Sequence, residues 1–435
     1  MAFWSRPLSF LERCRARYGP RFTIRLPLAP PFVMLASPAD VKEVFTAPSD
    51  VLHPGQGARV LEPLVGTNSV ILLDGRAHME QRKLMLPAFH GEQMTRLSGL
   101  MAEVAEREVA GWERDTPIPL HPRMQHLTLE IILRAVFGLE RGSRLDALRE
   151  RLSALLAFGD QPLSLLPISP ESAVGRLLSK VGPVAGFVEL QEQADGMIFE
   201  LIAERRQEAH SGDDVLAMLL AARHEDGSPM SDQELRDELM TLLVAGHETT
   251  ASTLAWVFAR LPHHPDALAR LRDEIDDGDS DAYLTATIQE TLRRRPVLPN
   301  SAPRFVIKPI TVGGWDYPEG VCLVPNAYLI HHDPAIYPDP YAFRPERFLD
   351  EPPGTYTWIP FGGGRRRCLG ASFAMLEMKH VLRTILTTCE VQPLDGAFEL
   401  AKRRNITIRP ARGAAVVLSD RQPARDRRPV ELAVS

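Results

Sequence analysis

Between Glu234 and Leu261 the sequence has no continuous polar face. Leu239, Met240, Leu242, Leu243, Val244, Leu254, Trp256, Val257 and Phe258 spread apolar surface nearly all round a helix. A helix at a protein surface needs one wet side, so this one must cross the centre and the remaining chain must wrap it. Ser231-Asp-Gln-Glu234 spells a capping box that opens it, with Ser231 as cap and Glu234 reaching back from the third helical position. The chain has 435 residues, 44% of them apolar, and neither a Gly/Ser-rich linker nor an internal repeat divides its interior. One mainly α-helical unit with a small β-rich region is expected over residues 1–420, with 421–435 a disordered basic tail.

The middle of that helix breaks helix rules. Ala245-Gly-His-Glu-Thr-Thr250 contains a glycine, which costs about 1 kcal/mol against alanine in a helix interior. It also buries a carboxylate, Glu248, that needs a partner. Such local violations are expected where function resides. Small Ala245 and Gly246 leave room for a bound molecule, and Thr249 can turn its hydroxyl toward that space. A helix kink filled by polar residues is the competing reading.

A second unusual stretch is Phe361-Gly-Gly-Gly-Arg-Arg-Arg-Cys-Leu-Gly370, followed by helical sequence from Ala371 to Ile385. Gly362 to Gly364 allow a tight turn, and unpaired N–H groups at the helix start favour a Cys368 thiolate, a good ligand for iron. A phosphate-cradling loop is the alternative, but no Lys-Ser or Lys-Thr closes it. A structural cysteine is the other.

Elsewhere, His78 and Arg82 lie one turn apart on a helical run from Asp74 to His90 and suit a carboxylate. Glu290 and Arg293 form an i,i+3 pair ahead of Phe343-Arg-Pro-Glu-Arg-Phe348. Phe22–Leu26 and Pro31–Leu35 alternate as a β-hairpin, and Ser37 with Pro38 reads as a helix start. The four cysteines, Cys14, Cys322, Cys368 and Cys389, lack zinc or disulfide spacing and fit a reducing cytosol. A net charge of -6 gives no case for nucleic acid. The N-terminal stretch is interrupted by Arg6, Glu12, Arg13, Arg15 and Arg17, so no membrane anchor is expected.

Together these motifs resemble the cytochrome P450 family, in the family's order and over nearly the whole chain. The resemblance implies a cytochrome P450 fold holding haem b between the long helix and the cysteine loop, with Cys368 as axial thiolate. Phe361 is then expected beside the sulfur, with Gly364 and Gly370 shaping the loop. Arg366, His78, Arg82 and Arg304 would hold haem propionates, and Ala245 and Gly246 would face the cofactor. Glu248 and Thr249 match the family's acid-alcohol pair, which relays protons during dioxygen reduction, while His247 and Thr250 serve structure. Glu290, Arg293 and Arg347 match its structural clamp.

The implied reaction is hydroxylation or epoxidation of a hydrophobic small molecule such as a terpenoid, steroid, fatty acid or polyketide. The implied partners are O2 and a ferredoxin or flavodoxin with its reductase, docked on a basic patch of Arg365, Arg366, Arg367, Lys379 and Arg383. A cytoplasmic monomer is expected. The segments Pro54–Leu73 and Leu152–Val188 fall where the family has a flexible substrate loop and a lid, and Val297–Ala302 with the turn near Asn405–Ile408 would touch substrate. A haem-thiolate peroxygenase, an isomerase and a haem-based sensor are the alternatives.

Overall fold

In the computed structural model, residues 6–26, 29–89, 91–158, 182–207 and 212–421 are described. Helix α1 (Pro7–Tyr18) leads into the antiparallel pair β1 (Arg21–Ile24) and β2 (Phe32–Leu35), then α2 (Pro38–Thr46) and β3 (Leu52–His53). Next come α3 (Gly75–Met85), α4 (Glu92–Ala110), β4 (Pro117–Pro119), α5 (Leu120–Phe137) and α6 (Ser143–Ala157). Two long helices follow, α7 (Gly182–Gln207) and α8 (Asp232–Phe258), then α9 (Pro265–Asp277) and α10 (Ala282–Arg294). After β5 (Arg304–Val306), β6 (Ile310–Val312), β7 (Trp315–Tyr317) and β8 (Cys322–Pro325), α11 (Ala371–Thr388) leads to β9 (Cys389–Pro393), β10 (Ala401–Arg404), β11 (Thr407–Pro410) and β12 (Ala415–Asp420).

The central helix is α8. Its capping box is complete: the Glu234 N–H donates to Ser231 Oγ at 3.2 Å, and the Ser231 N–H donates to Glu234 Oε2 at 2.7 Å. It lies along α5, and Leu239, Leu243, Leu254 and Val257 join α5 residues such as Leu127 and Ile131 in the largest apolar cluster. The helix stops at Phe258, and Leu261 opens a separate 3-10 turn. The β-rich region is a five-stranded sheet in the order β1-β2-β8-β5-β3, with β2 and β8 parallel, packed with α2 in a second apolar cluster.

Three local expectations change. Pro38 does open α2, but Ser37 makes no side-chain cap bond. The segment Pro54–Leu73 is tied to α8 rather than free. Asp237 accepts from the Asn68 N–H at 3.0 Å and from Asn68 Nδ2 at 2.9 Å, and Glu238 accepts from the Val70 N–H at 2.7 Å. Gly66, at φ +80°, lets the chain pass the Asp237 carboxylate, which any Cβ there would overlap. Arg421, placed by sequence in the disordered tail, ion-pairs with Asp276 at 2.6 Å and so belongs to the folded body; residues 422–435 lie outside the described residues. Of the lid, residues 159–181 likewise lie outside them, while Phe158 and Phe187 bring their rings to 4.7 Å across the gap.

Candidate active site

Each glycine of the cysteine loop has its own reason to be there. Gly362 and Gly364 sit at φ +66° and +63°, and a Cβ on Gly364 would also overlap the Phe45 carbonyl oxygen at the end of α2. Gly363 is extended and passes against the Phe45 ring. The Cys368 N–H then donates to the Phe361 carbonyl at 2.9 Å, and the Phe361 ring meets Trp358 edge-on at 5.9 Å.

Cys368 and Phe361 both line a cavity of about 2410 Å³. Burial pushes the Cys368 thiol pKa up, and the Gly370 N–H, Arg82 and Arg367 do not outweigh it. The Cys368 side chain is nonetheless exposed to the cavity, where a bound group would contact the sulfur. A coordinating metal deprotonates a thiol outright, so this site fits a metal-bound sulfur. Gly370 makes the same point: it lines the cavity at negative φ, and nothing stands within 4 Å of where its Cβ would be. The polypeptide itself does not call for glycine there, and the open side faces the cavity.

Four basic side chains gather at one end of this space. His78 and Arg82 project from α3 into the cavity, and Arg304 lines a separate small pocket with His78 and Arg366. Burial, with Arg366, Arg82 and Arg304 adding to it, holds the His78 pKa at about 3, so the ring is neutral at pH 7. Burial and Arg366 lower Arg304 to about 9, and its guanidinium lies 5.5 Å from the Phe45 ring centroid. The sequence did not indicate that Arg366 is already engaged. It donates to the carbonyls of Val70, Ile71 and Leu73 and ion-pairs with Asp74 at 2.6 Å. An anion held there shares Arg366 with the 70–74 segment. The cluster fits a dianionic group, and the cavity exceeds the roughly 300–1,000 Å³ of a single small-ligand site, leaving space for a cofactor and a substrate together.

A cytochrome P450 family model matches residues 1–414. The chain belongs to the cytochrome P450 family. It is similar to the Mycobacterium tuberculosis protein named cytochrome P450 135B1, with 39% identity over 94% of this chain and 86% of the relative. It is also similar to cytochrome P450 138 of Mycobacterium bovis, with 38% identity over 94% and 91%. Among solved structures, retinoic acid-bound cyanobacterial CYP120A1 superposes with a TM-score of 0.82 at 25% identity, covering 95% of this chain and 94% of that one. The P450DA heme domain gives the same TM-score at 23% identity, over 96% and 93%. The chain is thus a cytochrome P450 monooxygenase, an oxidoreductase whose cofactor is cysteine-ligated haem.

The P450 helix α8 presents Ala245, Gly246, Glu248 and Thr249 to the cavity. Gly246 does not simply leave room for a ligand. Its absent Cβ would stand 3.0 Å from Ile132 Cδ1, so the glycine lets α5 close on α8. The Thr249 hydroxyl is not diverted from the helix either; it donates to the Ala245 carbonyl at 2.6 Å. Glu248 accepts from Gln125 Nε2 at 2.8 Å and Ser252 Oγ at 2.8 Å, lies 3.4 Å from His121 Nε2 and pairs with Arg404. Burial alone would raise its pKa, but His121, Arg404 and His247 hold it to about 2. His247 and Thr250 are buried within the helix packing, and the His247 carbonyl accepts from Thr128 at 3.2 Å.

The clamp residues also meet. Arg293 Nε and Nη2 donate to the two Glu290 oxygens at 2.7 and 2.9 Å, with both side chains fully buried. Arg347 Nε lies 3.7 Å from Glu290 Oε1, while its Nη2 donates to the Asp339 carbonyl at 2.9 Å, so its hold on the carboxylate is looser than its hold on the backbone. The remaining Arg293 donors reach the carbonyls of His331, Pro340 and Ala342, which fixes the approach to the cysteine loop. On the face outside the loop the expected basic patch is reduced, because Lys379 and Arg383 both ion-pair with Asp281. Arg404, Gln125, His121, Ser252 and Asp74 escaped sequence reasoning. Ser252 lies one helical turn from Glu248, but the other four are far from their partners along the chain. Only the need of buried Glu248 for a cation pointed toward one of them.

Proposed function

We propose that this P450 oxidises a hydrophobic small molecule of the terpenoid, steroid, fatty acid or polyketide class, as a cytoplasmic monomer supplied with electrons by a separate ferredoxin or flavodoxin and its reductase. The reading is carried by one observation: Cys368, Thr249 and the His78–Arg82 pair all open into a single, mainly apolar cavity. Haem bound there supplies dioxygen activation, with one oxygen atom entering the substrate and the other leaving as water.

In this reading Cys368 would ligate the haem iron through its sulfur, with Phe361 lining the cavity on the same loop. His78, Arg82, Arg304 and Arg366 hold the two carboxylates of the cofactor. Thr249 and Glu248 would organise proton delivery: the Thr249 hydroxyl donates to the Ala245 carbonyl, so here it accepts a hydrogen bond from the cavity and would have to turn from that carbonyl to donate one. Glu248, held ionised by His121 and Arg404, would orient the cavity water that carries protons inward rather than stand as a loaded proton donor. Glu290, Arg293 and Arg347 position the loop. Val297, Leu298 and Phe187 line the cavity as apolar substrate contacts, and the retinoic acid of the CYP120A1 structure is an example of the ligand class they suit.

The decisive experiment is the spectrum of the reduced protein under carbon monoxide. A red-shifted Soret band that disappears in Cys368→Ser supports the reading, and an unchanged spectrum in that variant overturns it. For the partner, exposed Arg365 and Arg367 should dominate docking because Lys379 and Arg383 are shared with Asp281. Reduction by an acidic ferredoxin is expected to slow with salt and with charge reversal at Arg365; salt-independent reduction counts against it.

A further inference from the structure

The haem-binding residues do not account for Arg295, which lines the same cavity immediately after α10. Its guanidinium lies 5.3 Å from the ring centroid of Trp256, a fully buried α8 residue whose indole N–H donates to the Ile408 carbonyl at 3.2 Å. Stacking on that ring orients the fork, and Nη1 is taken by the Arg294 carbonyl at 2.9 Å. Nε is buried and has no hydrogen-bond partner. Behind it stand Arg294 and Arg260, whose Nε atoms are likewise buried and unbonded, and neither reaches a carboxylate among the described residues. Their planes lie against Tyr341 and Phe398 at 5.5 and 4.8 Å.

Burial and neighbouring guanidinium groups lower Arg294 to about 9 and Arg260 to about 10, while burial lowers Arg295 against the raising effect of Tyr328, Glu12 and Tyr341. The nearby carboxylate is Glu12, and its Oε1 already accepts from the hydroxyls of Tyr328 at 2.5 Å and Tyr341 at 2.9 Å. Arg260 and Arg294 are buried and Arg295 is partly buried with a buried Nε, and Glu12 stands near Arg295 alone, which leaves an excess of positive charge that is unfavourable without a further counter-charge. Of the three, only Arg295 reaches the cavity.

We propose that Arg295 is an anion subsite and that the substrate is a lipophilic carboxylic acid whose carboxylate docks on it, with Arg260 and Arg294 reinforcing the field from behind. This rests on the monooxygenase reading and narrows its substrate class. The acid end is anchored away from Cys368, and the apolar body extends back past Val297 and Leu298 into the space over the loop. Oxidation then falls on the apolar part of the molecule rather than on its acid end.

The test compares dodecanoic acid with its methyl ester by isothermal titration calorimetry on the haem-loaded protein. The wild type is expected to bind the acid at least about tenfold more tightly than the ester, since losing a buried charge partner is worth a factor of this size or more. Arg295→Gln should lose that preference while keeping ester affinity, and Arg295→Lys should keep part of it. Equal binding of acid and ester by the wild type, no binding of either, or a preference untouched in Arg295→Gln overturns the proposal. The same preparations are checked for the thiolate carbon monoxide spectrum. A normal spectrum without acid preference sinks the subsite alone, and an absent spectrum sinks the monooxygenase reading instead.

Discussion

Arg404 on β10 ion-pairs with Glu248 on α8, and the His121 hydrogen bond together with this contact holds the carboxylate ionised beside the cavity. Because the folded pKa is depressed to about 2 from an ordinary 4.5, Glu248 contributes stability that is present above pH 4.5 and lost as pH falls toward 2. Arg404→Leu removes the main cation. It is expected to destabilise the protein by about 3 kcal/mol at neutral pH, with the loss shrinking as pH falls below 4.5. Thermal melts in wild-type and Glu248→Gln backgrounds check this; an equal loss in both means the pair contributes nothing.

The motifs were legible because each is local. The capping box at Ser231, the glycines before Cys368 and the Glu290–Arg293 pair are all set by residues within a few positions of one another, and each takes the expected form. What was not legible depends on tertiary contact. Gly246 suggested ligand space from sequence, yet its immediate neighbour is Ile132 on another helix. Arg366 suggested a propionate partner, yet a loop nearly three hundred residues earlier already occupies its donors. Hydrophobic periodicity places a helix in the centre but does not say what its polar residues will meet there.

Glu238 gives a pH dependence of the opposite sign. Burial, aided by Asp237 and Glu234 and opposed by the Val70 N–H and Gln81, pushes its pKa up to about 8. Between about 4.5 and 8 the folded state keeps a proton that the unfolded chain has released, so stability falls as pH rises through that window. Glu238→Gln should flatten the fall and raise the melting temperature more at pH 8 than at pH 5. Identical pH profiles for variant and wild type would show that Glu238 does not titrate in this range.

Two loop glycines should separate folding from cofactor binding. Gly364→Ala meets both a positive φ and the Phe45 carbonyl, so it should lower the stability of the haem-free chain. Gly370→Ala meets no protein atom and should leave that stability within about 0.5 kcal/mol while weakening haem retention. Denaturation of the haem-free protein and haem-to-protein ratios after gel filtration provide the two readouts. Full haem retention in Gly370→Ala would show that the space beside Cys368 is not reserved for the cofactor.

Arg293 tests the clamp. Its two donors to Glu290 and three to backbone carbonyls use the guanidinium fork, which an ammonium cannot reproduce. Arg293→Lys keeps the charge, yet leaves buried acceptors unmet at about 1–3 kcal/mol each, so misfolded or haem-poor protein is expected. Wild-type haem content and melting temperature in this variant would mean that charge alone suffices there.

Thr249→Ala isolates the proton delivery role from structure. Among the described residues the lost hydroxyl bonds only to the Ala245 carbonyl of its own helix, and alanine is the better helix former, so stability should hold or rise slightly. Haem content and substrate affinity should change less than about twofold, because a single exposed hydroxyl donating back to its helix adds little to binding. The ratio of product to electrons consumed should fall, with the missing electrons appearing as hydrogen peroxide. Thr249→Ser restores a hydroxyl at the same place and should recover most of the coupling, which a change in packing would not. If Thr249→Ala still turns every electron pair into product, the hydroxyl is dispensable and protons reach the reacting oxygen by way of Glu248 and cavity water.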